Sequence, residues 1–280
     1  MALKARASGH CTAHRPTMAR RFSIVSSSQT SQAVRKLPDA LFFDCDGVLV
    51  DTERDGHRVS FNKAFAEKGL DHEWSVERYG KLLEIGGGKE RMTKYFEEEA
   101  HRPPFSTNQE PAARQALVQQ LHLLKTGLFM QLVESGAMPL RPGVKRLIGE
   151  AVAAGVPVAV CSTSNERAVS TIVRVMLGED IASRMRVFAG DIVPRKKPDP
   201  AIYLVAAEAL GVDPARCCVI EDSHIGCVAA RAAGMKVFIT KSSYTQEEDF
   251  TGAELVLDNL GEAGDPAALH LEQLAMALAG

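Results

Sequence analysis

Two aspartates, Asp44 and Asp46, stand two residues apart at the end of a short apolar stretch that covers residues 40–43. An apolar run of this length, bounded by turn residues, predicts a buried strand of a parallel sheet. Residues two apart on extended backbone point to the same side, so both carboxylates can face one ligand. Close carboxylates repel each other and lose hydration on burial unless a cation or a proton intervenes. The pair therefore favours a ligand site over a plain acidic turn.

Three later strand patterns also end in polar side chains. The residues concerned are Ser162, Thr163 and Asn165 in a hydroxyl-rich turn, Lys197 before a proline, and the acidic pair Glu221 and Asp222. A helix start with hydroxyls suits a phosphate oxygen, and one lysine can neutralise a phosphoryl group. Each feature alone is also explained by helix capping or by a solvated turn. Together they predict a Mg²⁺ site for phosphoryl transfer, because Mg²⁺ prefers carboxylate and phosphate oxygens, with a carboxylate as nucleophile.

The elements that would position these groups alternate between strands and helices. Strand patterns cover residues 40–43, 156–161, 186–190, 217–220 and 236–240, with one more at 254–257; helical patterns cover 144–154, 165–177, 200–210, 223–233 and 266–278. In the third of these helices Asp199 is expected as the cap and Pro200 as the first helical residue. The alternation predicts an α/β fold with a doubly wound parallel sheet as its core.

A helical insertion interrupts this alternation directly after the first strand. A helical pattern at residues 52–69 is followed by amphipathic stretches at 76–83, 90–99 and 109–136, with breaks at the glycines 86–88 and the prolines 103–104. No strand pattern occurs between residue 69 and about residue 137. We therefore expect a small helical cap domain over residues 55–138, inserted into a core domain of residues 37–54 and 139–280.

Charge is distributed unevenly along the 280 residues. Residues 1–36 hold seven of the 33 basic residues and no acidic one, so the remainder carries 26 basic against 35 acidic residues. Basic, hydroxyl-rich and acid-free composition is typical of an organelle transit peptide, with plastid ahead of mitochondrion, although a disordered basic tail has the same composition. The acidic remainder argues against nucleic acid as a partner, and no apolar run approaches the ~20 residues that span a membrane. The six cysteines show no metal-ligand spacing.

The four strand-end motifs resemble those of haloacid-dehalogenase-type phosphatases, and the insertion resembles the small helical cap of that superfamily. Residues 40 to about 260 are similar to CbbY-type proteins, the plastid and bacterial xylulose-1,5-bisphosphate phosphatases. The motifs that carry this similarity are Ile85-Gly-Gly-Gly-Lys89-Glu-Arg91-Met, Ala159-Val-Cys-Ser-Thr-Ser-Asn165 and Phe188-Ala-Gly-Asp-Ile-Val-Pro-Arg-Lys-Lys-Pro-Asp-Pro-Ala-Ile-Tyr203. The resemblance implies conversion of this small sugar bisphosphate to xylulose 5-phosphate and phosphate, with Mg²⁺ as cofactor. Together with the transit-like segment it predicts the chloroplast stroma as the location, and a monomer is expected.

The resemblance also implies roles for individual residues of the core. Asp44 would be the nucleophile, and Asp46 the general acid and base that protonates the leaving sugar oxygen and then activates water. Mg²⁺ would be held by Asp44, the Asp46 backbone carbonyl and Asp222, with Glu221 orienting them. Ser162 and Lys197 would hold the transferring phosphoryl group.

The remaining implied contacts concern the sugar and the second phosphate. Acidic residues after the nucleophile would face the sugar hydroxyls, and cap residues would bind the second phosphate: Asp51 and Glu53 in the first group, Gly88, Lys89, Arg91 and Lys125 in the second. His57 lies five residues after Thr52, whereas many relatives have a histidine four residues after this threonine. One extra residue, around Gly56, leaves a contact of His57 with the substrate open.

Three other functions remain open from the sequence. A β-phosphoglucomutase-like isomerase shares this scaffold, and a phosphatase of another sugar phosphate would differ only in its cap. A non-catalytic phosphate-binding protein is the third, although it has no use for a nucleophile paired with an acid and base. The sequence leaves the sugar, the oligomeric state, the transit cleavage site and any redox control undetermined.

Overall fold

A six-stranded parallel sheet forms the centre of the computed structural model, which describes residues 36–85, 88–108 and 110–279. Its order is β3-β2-β1-β4-β5-β6, and every neighbouring pair is parallel. The strands are β1 Ala40–Phe43, β2 Val158–Ser162, β3 Met185–Ala189, β4 Cys217–Glu221, β5 Lys236–Thr240 and β6 Leu255–Leu257. This confirms the predicted α/β fold with a doubly wound sheet.

The order of the strands determines where a ligand can bind. From β1 the chain proceeds to β2 and β3 on one side of the sheet, and then crosses to β4 on the other side of β1. Doubly wound sheets bind ligands beyond the carboxyl ends of the strands at such a switch point. Phe43, the last residue of β1, pairs with Val160 and with Ile220, so β1, β2 and β4 end within two residues of one another. The residues that follow these strands therefore meet at the switch point.

Helices cover both faces of the sheet. The helices that follow the cap in the chain are α5 Val144–Ala153, α6 Glu166–Leu177, α7 Glu179–Ala182, α8 Ala201–Leu210, α9 His224–Ala232 and α10 Leu271–Ala277. In β1, Leu41 and Phe43 pack with α5, α6 and α10, whereas Ala40 and Phe42 pack with α8 and α9. All four residues of β1 are fully buried. This alternation of side-chain direction is that of a strand covered on both faces.

Four helices lie between β1 and α5 in the chain, and we call them the cap helices: α1 Arg58–Glu67, α2 Val76–Leu82, α3 Gly88–Glu98 and α4 Pro111–Ser135. A π-helical turn, Thr52–His57, precedes them. The cap helices enclose an aromatic cluster of their own, with Phe61, Phe65, Trp74 and Tyr79 among its buried members. The domain boundaries at residues 55 and 138 stay a prediction. Gly86 and Gly87, part of an expected break, and Gln109, the expected start of the long helix, lie outside the described residues.

Some element boundaries differ from those expected. The terminal helix begins at Leu271 rather than at residue 266, because His270 and Gln273 form a capping box there. Helix α8 begins at Ala201, so Pro200 is its cap residue, while Asp199 Oδ1 accepts a hydrogen bond from the Ala201 N–H at 3.0 Å. Within the described residues no helix combines the length and the apolar character needed to cross a bilayer.

Candidate active site

Asp44 lies at the switch point, directly after β1. Its N–H donates to the Ile220 carbonyl at 3.0 Å, and its Oδ1 accepts a hydrogen bond from Lys197 Nζ at 2.6 Å. Burial raises the pKa of the Asp44 carboxyl, and the Lys197 ammonium opposes that rise. The structure thus places the predicted nucleophile at the strand end where a ligand would lie, in contact with the predicted phosphoryl-binding lysine.

Lys197 joins two strand ends. Its Nζ donates to Asp44, to Glu221 Oε1 at 2.6 Å and to the Cys161 carbonyl at 3.0 Å. Burial lowers the pKa of Lys197, but the two carboxylates more than offset this effect and raise it well above its usual value. Tyr203 donates its hydroxyl to Glu221 Oε1 at 2.9 Å and closes the group on its buried side. The ammonium is therefore a fixed positive charge beside Asp44, the predicted nucleophile.

Three buried carboxylates, those of Asp44, Glu221 and Asp222, place oxygens within 4.8 Å of one another. Burial is the main cause that raises the pKa of Asp222, and the charges of Glu221 and Asp44 add to it. A Cβ at Gly47, whose φ is +81°, would lie 2.0 Å from Asp222 Oδ2, so only glycine fits there. One ammonium cannot balance three carboxylates, and the oxygen donors suit a hard divalent cation. The cluster could therefore hold a metal ion.

Asp46 is held by hydroxyl groups on both sides. Thr52 Oγ1 donates to its Oδ1 at 2.6 Å, and Ser164 Oγ donates to its Oδ2 at 2.5 Å. Ser162 Oγ lies farther away, 3.4 Å from the same Oδ2. These contacts aim the carboxylate into a cavity of 450 Å³ that also contains His57 and Lys125. Such a position suits a group that transfers a proton to or from a substrate in that cavity.

Lys125 and His57 lie across this cavity from the sheet. Lys125 Nζ donates to His57 Nδ1 at 2.8 Å. Burial lowers the pKa of Lys125 to about 8, with Glu53 opposing and Arg91 adding to that shift. Burial also lowers the pKa of His57, and the neighbouring Lys125 lowers it further. The imidazole is therefore neutral and accepts the hydrogen bond of the ammonium.

The π-helical turn accounts for the position of His57. A π-helical turn accommodates one residue more than an α-helical turn, and such turns are frequent at functional sites. It lies where the sequence predicted one extra residue, around Gly56. Gly56 is needed for packing as well, because a Cβ there would lie 2.8 Å from the Phe129 ring. The turn thereby leaves the His57 ring stacked on Phe129, with centroids 4.1 Å apart, and in reach of Lys125.

The other predicted cap residues are less uniform in their placement. Arg91 directs Nε to the Leu82 carbonyl at 3.0 Å and Nη1 to the Tyr79 hydroxyl at 2.9 Å, so part of its donor capacity is used within the cap. Lys89 is exposed and lines a separate cavity between α3 and α4. Gly88 begins α3. The structure does not bring Lys89 to the cavity that contains Asp46 and Lys125.

The residues expected near the sugar and the phosphoryl group have protein partners. Glu53 Oε2 accepts a hydrogen bond from the Tyr79 hydroxyl at 2.5 Å. Asp51 Oδ2 accepts two from Ser243, from N–H at 3.1 Å and from Oγ at 2.5 Å. Asn165 caps α6 through the Ala168 N–H at 3.3 Å, which is the simpler role weighed for this turn. Thr163 lies half-buried between β2 and α6.

A sequence profile of haloacid dehalogenase-like hydrolases matches residues 38–234, which include all four strand-end motifs. The chain belongs to this family of hydrolases. Its relatives include a CBBY-like protein of Arabidopsis thaliana, 54% identical over 240 residues that cover 86% of this chain and 75% of that protein. The protein CbbY of Rhodobacter capsulatus is 39% identical over 83% of this chain and 98% of its own length.

A solved structure gives the same relationship. CbbY from Rhodobacter sphaeroides, in a mutant form crystallised in complex with xylulose-(1,5)bisphosphate, has a TM-score of 0.64 and 36% identity. The match covers 84% of this chain and all of the other. The resemblance drawn from the motifs is thereby confirmed: this hydrolase is a phosphoric monoester hydrolase related to the CbbY proteins.

Several residues that shape the site of this hydrolase were not predicted. Ser164 and Thr52 hold Asp46, and the hydroxyl-rich turn contained the signal for Ser164. Arg141 donates to the carbonyls of Thr240 at 2.8 Å and Lys241 at 2.6 Å, and also to the Gly47 carbonyl. It thus ties the loop after β1 to the end of β5. No local pattern in the sequence pointed to this arginine.

Proposed function

We propose that this hydrolase removes one phosphate from xylulose 1,5-bisphosphate and leaves xylulose 5-phosphate. The observation that carries the proposal is the cavity that runs from Asp46, beside the nucleophile Asp44, to the buried ammonium of Lys125. A bisphosphate needs a reacting end and a cationic distal end, and this arrangement offers both. The bound sugar bisphosphate in the related CbbY structure supports the choice of substrate.

Mg²⁺ is the proposed cofactor, since its preference for oxygen matches the carboxylates of Asp44 and Asp222. It would be held by these two groups and the Asp46 carbonyl, with Glu221 behind them, and when bound it would neutralise charge on the phosphoryl oxygens. Glu221 is already engaged by Lys197, by Tyr203 and by the Asp222 N–H at 2.9 Å. Its role is therefore to orient the neighbouring groups.

The reaction would proceed in two steps. Asp44 attacks phosphorus, the bond from phosphorus to the sugar oxygen breaks, and Asp46 delivers a proton to that oxygen. Asp46, now ionised, takes a proton from a water molecule, and the hydroxide formed attacks the aspartyl-phosphate and releases inorganic phosphate and Asp44. Throughout, Lys197 and the Ser162 hydroxyl stabilise the charge of the transferring group.

The second phosphate would lie on the side of the cap helices. Lys125 is buried in the shared cavity, and Arg91 is close enough to influence its pKa. Lys89 is the weaker candidate, since it faces another cavity. Glu53 and Asp51 would face the sugar, where their acceptor oxygens suit its hydroxyl groups. We propose residues 55–138 as the domain that carries these contacts.

The proposed location is the chloroplast stroma, with residues 1–36 as the transit peptide and a monomeric mature enzyme. The acid-free composition of this segment and the plant CBBY-like relative support the location. There the reaction would clear a sugar bisphosphate that inhibits the carboxylating enzyme of carbon fixation, as the resemblance implies.

Phosphate release from a panel of sugar mono- and bisphosphates, with Mg²⁺ and with chelator, tests the proposal. We expect xylulose 1,5-bisphosphate to have the highest kcat/KM and chelator to remove the activity. Turnover no better than that of glucose 1-phosphate would refute the substrate. An isomerised sugar phosphate without free phosphate would identify a mutase, and binding without product would identify a phosphate-binding protein.

A further inference from the structure

One tyrosine from the sheet layer packs into the aromatic cluster of the cap helices. Tyr244 lies in the loop after β5, and its ring stands edge-on to Tyr79 with centroids 5.9 Å apart. All other described members of this cluster come from residues 61–121. Tyr244 is therefore a direct contact between the sheet layer and the cap helices.

Helix α2 carries a glycine at the place where this ring lies. A Cβ at Gly80 would be 3.2 Å from two carbons of the Tyr244 ring, which is closer than ordinary van der Waals contact. Glycine inside a helix costs roughly 0.5–1 kcal/mol relative to alanine. The absence of a side chain at Gly80 thus leaves space for the Tyr244 ring, although glycine lowers the stability of α2.

The loop that carries Tyr244 is anchored on the core side. Ser243 donates its N–H and its hydroxyl to Asp51, and Arg54 Nη1 donates to the same hydroxyl at 3.0 Å. The Tyr244 hydroxyl, by contrast, is buried without a hydrogen-bond partner among the described residues. A buried hydroxyl without a partner is unfavourable. The contribution of Tyr244 therefore comes from its ring.

On the cap side, the contact leads to Arg91 and to Glu53, which lines a cavity together with Asp46 and Asp222. Tyr79 donates its hydroxyl to Glu53 and accepts a hydrogen bond from Arg91. The Arg91 guanidinium also lies over the Tyr79 ring, 5.3 Å from its centroid. A displacement of Tyr79 would therefore displace the two groups proposed to face the sugar and the distal phosphate.

We propose that Tyr244 is a positioning residue. Its ring packs on Gly80 and Tyr79 and thereby holds α2 against the sheet layer. This contact fixes the positions of Glu53 and Arg91, which would bind the sugar and the distal phosphate of the substrate. This inference rests on the proposed function, since it assigns Tyr244 to the binding of the non-reacting part of a sugar bisphosphate. Loss of the ring should weaken that binding and leave phosphoryl transfer to Asp44 nearly intact.

The test compares Tyr244→Ala, Tyr244→Phe and Gly80→Leu with the wild type. We expect Tyr244→Ala and Gly80→Leu to raise KM for the bisphosphate about tenfold, because small misplacements of binding groups have effects of this order. The value of kcat/KM for p-nitrophenyl phosphate, which has no second phosphate, should change less than about threefold. Tyr244→Phe keeps the ring, so its KM should equal that of the wild type.

The matched control is Leu123→Ala, at a cap leucine that is 73% exposed. It should change neither KM for the bisphosphate nor kcat/KM for p-nitrophenyl phosphate.

Gly80→Leu keeps the assay interpretable if Tyr244→Ala fails to fold, since leucine favours the helix that glycine weakens. Equal losses for both substrates would show that Tyr244 supports the catalytic centre, and a defect in Tyr244→Phe would show that the hydroxyl touches substrate. Either result overturns the proposal, as does an unchanged KM in both Tyr244→Ala and Gly80→Leu.

A second readout does not depend on the identity of the sugar. Trp74 is the only tryptophan of the chain, and its ring centroid lies 5.7 Å from that of Tyr79. Its emission should shift in Tyr244→Ala and remain unchanged in Tyr244→Phe. If the wild type cleaves p-nitrophenyl phosphate but not the bisphosphate, the substrate assignment fails while this comparison still decides the docking role. Identical emission in all three proteins would refute that role.

Discussion

Asp44 is one of three buried carboxylates, two of which bind the ammonium of Lys197, and this excess of acidic groups has a consequence for mutants. Asp44→Asn removes one charge from the cluster and cannot attack phosphorus, because an amide is not a nucleophile of that kind. We expect no measurable phosphate release and, in the metal-free protein, a melting temperature no lower than that of the wild type, because Glu221 still binds Lys197 and one repelling carboxylate is gone. Calorimetry and a phosphate assay measure the two effects.

The covalent step of the same prediction can be examined directly. In the wild type, the phosphorylated residue trapped during turnover should be Asp44, while Asp46→Asn should form the phospho-enzyme slowly and break it down slowly. Peptide mapping after trapping locates the phosphoryl group. A phosphoryl group on any other side chain contradicts the assignment of the nucleophile.

Lys125 should make turnover of the bisphosphate depend on pH. Its pKa is lowered to about 8, so its positive charge is present below that pH and is lost as the pH rises through it. We expect kcat/KM for the bisphosphate, which reports the free enzyme, to fall tenfold to a hundredfold above about pH 8. That range corresponds to a charge-assisted contact of roughly 1.5–3 kcal/mol.

Two controls isolate the role of Lys125 in this pH profile. Lys125→Arg keeps its charge throughout, so the decline should vanish in that variant. The small ester p-nitrophenyl phosphate should show no decline near this pH in the wild type. If both substrates lose activity together, another group is titrating and Lys125 does not bind the distal phosphate.

At the scale of elements, the π-helical turn and α4 contain two glycines with opposite surroundings. A Cβ at Gly56 would lie 2.8 Å from Phe129 and 2.9 Å from Met138 Sδ, whereas one at Gly127 would meet no atom within 4 Å. Gly56→Ala should lower the free energy of unfolding by about 1–3 kcal/mol through overpacking. Gly127→Ala should raise it by about 0.5–1 kcal/mol. Urea denaturation measures both, and equal effects would argue against the tight turn.

The sequence predicts the strands and the residues at their ends, but not the contacts between helices. The strands were predictable because β1, β2 and β4 are apolar runs that end in polar residues, and a parallel sheet brings those ends together. The pair of Lys125 and His57 was not, because it joins two helices whose packing no local pattern specifies. Arg141 was missed for the same reason, since its acceptors lie on segments far apart in the chain. Lys89 was expected beside the substrate but lines another cavity. The position of a residue in the sequence does not show which way α3 faces.

At the scale of the whole molecule, residues 1–36 should be dispensable for catalysis. The segment lacks acidic residues and a continuous apolar stretch, so it has little to contribute to a core. A protein that begins at residue 37 should keep its kcat/KM and its melting temperature. Fused alone to a fluorescent protein, the segment should direct it into plastids. Fluorescence confined to the cytosol would refute the location and leave the chemistry untouched.

The position of β1 in the sheet also sets an order of folding. Phe43 pairs with Val160 and Ile220, which are more than 100 residues away in the chain. The aromatic cap cluster, by contrast, is formed almost entirely by residues 61–121. Contacts between distant residues form late, because the connecting loop must close first. A newly made chain should therefore complete its predicted catalytic centre last. Pulsed hydrogen exchange should show amides of α1 and α4 protected before those of β1, and simultaneous protection would contradict this order.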